Sequence, residues 1–191
     1  MRYVVTMFSP KKLYDWMGVG GCGLLALLAI PASGMGGDVT LESAGVRAGF
    51  SANQSGKDFY QAEAAVNWKL PWGWDLGRSF YLQSRLDGSV GWLGDRAANA
   101  AIGTIGPTLL LSREHLPISL EGGSGPTVMT RSQFGSKDFG IPLQFTSHVG
   151  LNWDMTSHWR LGYRFQHMSN AGLSRHNPGL NMNVFGLSYL F

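Results

Sequence analysis

Tyr60-Gln61-Ala62-Glu63-Ala64-Ala65-Val66-Asn67-Trp68-Lys69-Leu70 alternates along most of its length, with apolar residues at the even positions and Gln61, Glu63, Asn67 and Lys69 at most of the odd ones. A repeat of two belongs to a β-strand with one face in an apolar and the other in a polar environment. The pattern recurs downstream. Phe80, Leu82, Leu86, Val90 and Trp92 alternate with Gln83, Arg85 and Asp87, and Ile141, Leu143, Phe145, Val149, Leu151 and Trp153 with Gln144, Thr146, His148 and Asn152. Strong versions at 158–169 and 181–191 and weaker ones at 43–51, 100–112 and 115–123 bring the expected strands to eight. Turns are expected at Pro71-Trp72-Gly73, Ser112-Arg113-Glu114 and Gly135-Ser136-Lys137-Asp138.

Two architectures accept such strands: a soluble sandwich or lipocalin-like barrel with the apolar face inward, or a membrane barrel with that face outward. Composition and the polar row favour the second. Of 191 residues, 14% are charged, 12% aromatic and 27 glycine, against about 25% charged in soluble domains. Aromatic content excludes a disordered chain, and no stretch reaches the roughly 18 apolar residues of a spanning helix. Arg47, Glu63, Lys69, Arg85, Asp87, Glu121, Arg160 and Arg164 share the inner parity and mix both signs, as a self-paired barrel interior would. Trp68, Trp72, Trp92, Trp153 and Trp159 fall near strand ends, where interfacial girdles belong. Phe185, Leu187, Tyr189 and Phe191 alternate to a terminal phenylalanine, which resembles the assembly signal of bacterial outer-membrane barrels. The expected fold is an all-β, eight-stranded antiparallel transmembrane barrel.

Lys11 and Lys12 precede an apolar run from Gly18 to Ile30, followed by Ala32-Ser33-Gly34. This is the layout of a secretory signal peptide, so residues 1–34 are expected to be cleaved and 35–191 to form the barrel. Cys22, the one cysteine, leaves with the leader. Removing Arg2, Lys11, Lys12 and Asp15 leaves 12 basic and 11 acidic residues. The pI of 9.2 is therefore no argument for nucleic acid, and none is expected as a partner.

One strand breaks the parity. Trp159, Leu161, Tyr163 and Phe165 form its apolar row, and the row continues with His167 and Ser169. Either the strand has reached the headgroup zone there, or imidazole and hydroxyl stand side by side on the lipid face, where polar groups are costly. A base beside a hydroxyl is the minimal acyl-transfer apparatus. The segment His167-Met168-Ser169-Asn170-Ala171-Gly172, followed by Asn177-Pro178-Gly179, resembles the lipid A deacylase PagL family, eight-stranded outer-membrane barrels that remove the 3-O-linked acyl chain of lipid A. The resemblance implies His167 as general base and Ser169 as nucleophile. Asn170, Asn177 and main-chain amides near Gly172 would hold the oxyanion. It also implies lipid A or lipopolysaccharide as the partner, with no cofactor.

The family glutamate that orients the histidine lies twelve residues after the serine. That position is Asn181 here, and a second family acid aligns with Ser147. Asparagine can still accept a hydrogen bond from Nδ1, as in Cys-His-Asn enzymes; otherwise Asn181 caps the adjacent turn. The trio also resembles that of outer-membrane phospholipase A, a twelve-stranded barrel. Phospholipase chemistry and a non-catalytic adhesin or structural barrel remain the alternatives. His148, Asn152 and His158 are expected to make ordinary hydrogen bonds, and His176 to lie in a solvated loop. Ser124-Gly125-Pro126 is no nucleophile elbow, and no metal-ligand pattern is present. Pairing with a second copy is left open.

Overall fold

The computed structural model describes residues 38–52 and 58–191; the expected signal peptide lies outside them. Eight long antiparallel strands close into a barrel: β1 (Thr40–Ser51), β2 (Tyr60–Gly77), β3 (Phe80–Gly94), β4 (Asn99–Arg113), β5 (Ile118–Met129), β8 (Leu143–Asp154), β9 (Trp159–Ser169) and β10 (Leu180–Leu190). A two-stranded hairpin, β6 (Gln133–Phe134) and β7 (Lys137–Asp138), is inserted between β5 and β8. β1 pairs with β10, so the last strand closes the cylinder on the first and no edge is left open.

Every second residue faces out. Val46, Val90, Ile105, Leu120, Val149, Leu151, Phe185 and Leu187 are exposed, as lipid-facing side chains should be. Trp153, Trp159, Tyr189 and Phe191 collect at one rim, where Trp159 and Phe191 each meet Tyr189 edge-on at 5.5 and 5.4 Å. At that rim the strands are joined by the short connections 78–79, 114–117 and 155–158. The longer connections, including 130–142 and 170–179, all lie at the other end. Outer-membrane barrels carry short turns on the periplasmic side and long loops outside, which identifies the loop end as the external one.

The middle of the interior is a charge network. Asp87 is held by Arg47 and, at 3.1 Å, by Arg164, which also binds Glu121. Arg47 reaches Glu63 at 3.5 Å, and Asn152 donates to Glu121 at 2.8 Å. Arg85 pairs with Glu42, and Arg160 with Asp154. Lys69 keeps the inner parity, opposite the buried Arg85, but is exposed because it sits at the barrel's end, paired with Thr40, the first residue of β1. Arg164 serves two buried carboxylates, so Arg164→Met should cost about 3–5 kcal/mol by leaving Glu121 without its cation. The measurement is the temperature at which the detergent-solubilised barrel loses its unboiled electrophoretic mobility; an unchanged midpoint would contradict this.

Towards the loop end the same inner parity turns apolar. Leu93, Ile102, Met129, Met168, Leu180, Met182 and Val184 meet Phe59, Phe134 and Phe139 from the loops. The three phenylalanine rings pack edge-on at 5.4–6.0 Å, and the Lys137 ammonium lies over two of them. This cap excludes water from that end of the lumen and gives the site-bearing strands β9 and β10 a packed backing.

One expected turn is placed differently. β2 runs through Pro71-Trp72-Gly73 as a bulge, with its register shifting between Lys69 and Gly73. Gln83 donates to the Leu70 and Trp72 carbonyls at 2.7 and 3.1 Å, and Ser84 to Trp72 at 2.5 Å. Proline is tolerated at such a bulge because no ladder hydrogen bond is asked of it. The turn expected at Gly135-Ser136 is present, as the tip of the small β6–β7 hairpin, which lies outside the barrel ladder.

Candidate active site

His167 and Ser169 end β9 on its outward face, at the loop rim. Both are half-buried. Met168 between them points into the apolar cap, so packing on one side of the strand fixes the direction of both polar side chains on the other. Asn181, near the start of β10, is the cross-strand partner of His167. Its Oδ1 lies 2.7 Å from His167 Nδ1. With a carbonyl oxygen accepting, Nδ1 carries the proton and Nε2 keeps its lone pair. No direct hydrogen bond joins Ser169 and His167; such contacts often tighten only with substrate in place.

Gly179 presses on the imidazole. A Cβ at that position would stand 2.9 Å from His167 Cε1 and 3.6 Å from Nε2. The residue also has φ +63°, so glycine is required on two counts. This contact is invisible in sequence, where Gly179 reads only as a turn-former. Gly179→Ala should therefore push the ring off its bond to Asn181 and lower kcat about tenfold or more, since small misplacements of catalytic groups are costly. Equal turnover in a folded Gly179→Ala barrel would contradict that contact.

Asn170 is fully buried and organises the loop. Its Nδ2 donates to the carbonyls of Phe139, at 2.9 Å, and His176, at 2.7 Å. Its Oδ1 accepts from Gly172 N–H and its own N–H donates to Asn177 Oδ1, both at 3.0 Å. Both amide hydrogens are committed to carbonyls, so this geometry suits holding the 170–179 loop against the 130–142 loop better than donating to a substrate. The Gly172 N–H is committed likewise. Ala171 N–H and Asn177 Nδ2 carry no hydrogen bond, and Ala171 is held at φ +54° beside Gly172 at +81°. The loop therefore offers two unpaired donors within eight residues of Ser169 in the chain.

The other histidines lie elsewhere. His148 points into the lumen with Nε2 3.9 Å from Glu121, and His158 stacks on Tyr189 at the opposite rim. His176 is an exposed loop residue 3.9 Å from Asp138. Among the described residues no group of three or more His, Cys, Asp or Glu could hold a metal ion.

A hydroxyl, an imidazole with one nitrogen oriented by an amide, and unpaired N–H donors on the loop that follows are the components of an acyl-transfer site. Comparisons with known proteins point to the same chemistry. Residues 59–190 match the family described as lipid A 3-O-deacylase (PagL). The lipid A deacylase PagL of Bordetella bronchiseptica is 39% identical over 72 residues, 38% of this chain and 40% of that protein; the match thus spans about two fifths of the relative's length. A crystal structure of the outer-membrane enzyme PagL superposes with a TM-score of 0.62 at 21% identity, covering 78% of this chain and 98% of that one.

Proposed function

The chain belongs to the lipid A 3-O-deacylase (PagL) family, and from that membership we propose that it is an outer-membrane esterase that hydrolyses the 3-O-linked acyl chain of lipid A, with Ser169 as nucleophile and His167 as base. One observation carries the reading: a histidine bonded to Asn181 at 2.7 Å shares with a serine the barrel face that otherwise meets lipid. A site on that face takes its substrate from the membrane, without extracting it into water. Residues 1–34 serve as the export signal.

Ser169 Oγ attacks the ester carbonyl carbon while its proton passes to His167 Nε2. The carbonyl oxygen becomes an oxyanion, held by Ala171 N–H and Asn177 Nδ2, with Asn170 and Gly172 keeping that turn in shape. Collapse of the tetrahedral intermediate breaks the bond to the sugar oxygen, which takes the proton from His167. Water, deprotonated by the same Nε2, then releases the fatty acid from Ser169. Asn181 keeps the proton on Nδ1 throughout, so that Nε2 is the nitrogen that accepts and returns it.

The closed barrel of eight strands differs from the twelve of outer-membrane phospholipase A, which supports the deacylase reading over the phospholipase one although the Ser-His-Asn trio resembles both. A fluorophosphonate probe tests the nucleophile. The folded protein should gain one adduct, mapped to the peptide carrying Ser169 and lost in His167→Ala. Labelling at another serine, or none, would contradict the assignment.

A further inference from the structure

Four outward-facing polar side chains stand in register across four neighbouring strands. Ser124 of β5 is paired with Ser147 of β8, Ser147 with His167 of β9, and His167 with Asn181 of β10. The last two belong to the site already described. The first two are joined by a 2.9 Å hydrogen bond between their hydroxyls, and the mechanism makes no use of them.

The edge of the membrane does not account for the pair. Beyond the serines, towards the loops, the same outward rows return to Pro126 and Val128 on β5 and to Phe145 and Leu143 on β8, with Val128 58% exposed. On the other side lie Leu120 and Val149, also exposed. The serines thus interrupt an apolar surface, where an unmatched hydroxyl is costly. Two hydroxyls have two protons between them, and their mutual bond uses one. One donor is left, about 5 Å across the ladder from the imidazole strand.

We propose that Ser147, steadied by Ser124, is a specificity-determining residue that donates a hydrogen bond to a second carbonyl of the substrate lipid, the ester or amide of the acyl chain next to the one removed. The proposal rests on the ester-hydrolase reading above. A single-chain ester has one carbonyl, and the oxyanion donors take it. A lipid with neighbouring acyl chains brings a second carbonyl within several ångströms of the first, and the register row places a spare donor one strand from the histidine. Water competes poorly on an apolar face, so a hydrogen bond there orients strongly. Holding the second carbonyl turns the scissile ester towards Ser169.

The test uses the purified full chain in detergent micelles and two substrates: a glucosamine bearing a 3-O-acyl ester beside a 2-N-acyl amide, and a single-chain p-nitrophenyl ester. In Ser147→Ala, kcat/KM on the diacyl lipid should fall about five- to tenfold further than on the single-chain ester, mainly through KM. Ser147→Thr, which keeps the hydroxyl, should restore the ratio. Ser124→Ala removes the partner and leaves Ser147 in place, so it reads the same ratio should Ser147→Ala fail to fold. Equal losses on the two substrates, or no loss on either, would overturn the proposal. Ser169→Ala, run alongside, separates the underlying reading: wild-type rates in that variant place the hydrolytic site elsewhere, whatever the serine ratio does.

Discussion

Ser169→Ala is expected to lower ester hydrolysis by about three orders of magnitude or more, because removing the nucleophile of an acyl-transfer site leaves only the rate supplied by binding and the oxyanion donors. His167→Ala should fall by a similar amount, since the two act as a unit and losing either disables the proton transfer. Neither variant should disturb the barrel. Ser169 has no hydrogen-bonded partner through its side chain, and the imidazole of His167 bonds only Asn181. Both face away from the charge network of Arg47, Asp87, Glu121 and Arg164 that fills the lumen. Unboiled electrophoretic mobility therefore stays that of the parent while activity disappears. A folded Ser169→Ala barrel that still releases fatty acid would place the chemistry at another residue.

Asn181→Ala should lower kcat about ten- to a hundredfold and leave KM nearly unchanged. The amide oxygen fixes which nitrogen of His167 is free, and that matters in the transition state more than in ground-state binding. Asn181→Asp should keep or raise the rate. A carboxylate at the same place accepts the same Nδ1–H and adds charge opposite the imidazolium that forms during attack. The competing role, capping the Asn177-Pro178-Gly179 turn, predicts instead a loss of stability in Asn181→Ala and little change in Asn181→Asp, which caps in the same way, with turnover per folded molecule unchanged in both. Turnover measured on the folded fraction separates the two roles.

The barrel was legible because a lipid-facing strand must alternate. Period two in residues 60–70, 80–92 and 141–153 announced strands that the structure contains, and the mixed charges at Arg47, Asp87 and Arg164 announced which face turns inward. His167 and Ser169 were legible for the converse reason, as polar residues on the apolar parity. Contacts across strands were not. Alternation tells which face a residue occupies, whereas its neighbour on the next strand depends on turn lengths and bulges such as the shift between Lys69 and Gly73. Hence the Ser124–Ser147 pair and the closeness of Gly179 to the imidazole emerge only from the ladder. The interior's change from charged to apolar was also hidden. Met168, Leu180, Met182 and Val184 hold the same parity as Arg164 and Gln166 or continue it across β10, yet they pack against loop phenylalanines far away in sequence. Asn170 likewise looked like an oxyanion donor from the motif alone, because the Phe139 and His176 carbonyls that occupy it come from elsewhere in the loops.

The most direct test is mass spectrometry of lipid A from outer membranes of cells expressing this chain, compared with cells expressing Ser169→Ala at equal levels of folded barrel. The active chain should convert lipid A to a species lighter by one acyl group, lost from a 3-O position, and Ser169→Ala should leave lipid A intact. Identical lipid A in both cells, or the loss of an acyl chain that persists with Ser169→Ala, would contradict the assignment of this barrel as a serine esterase of lipid A.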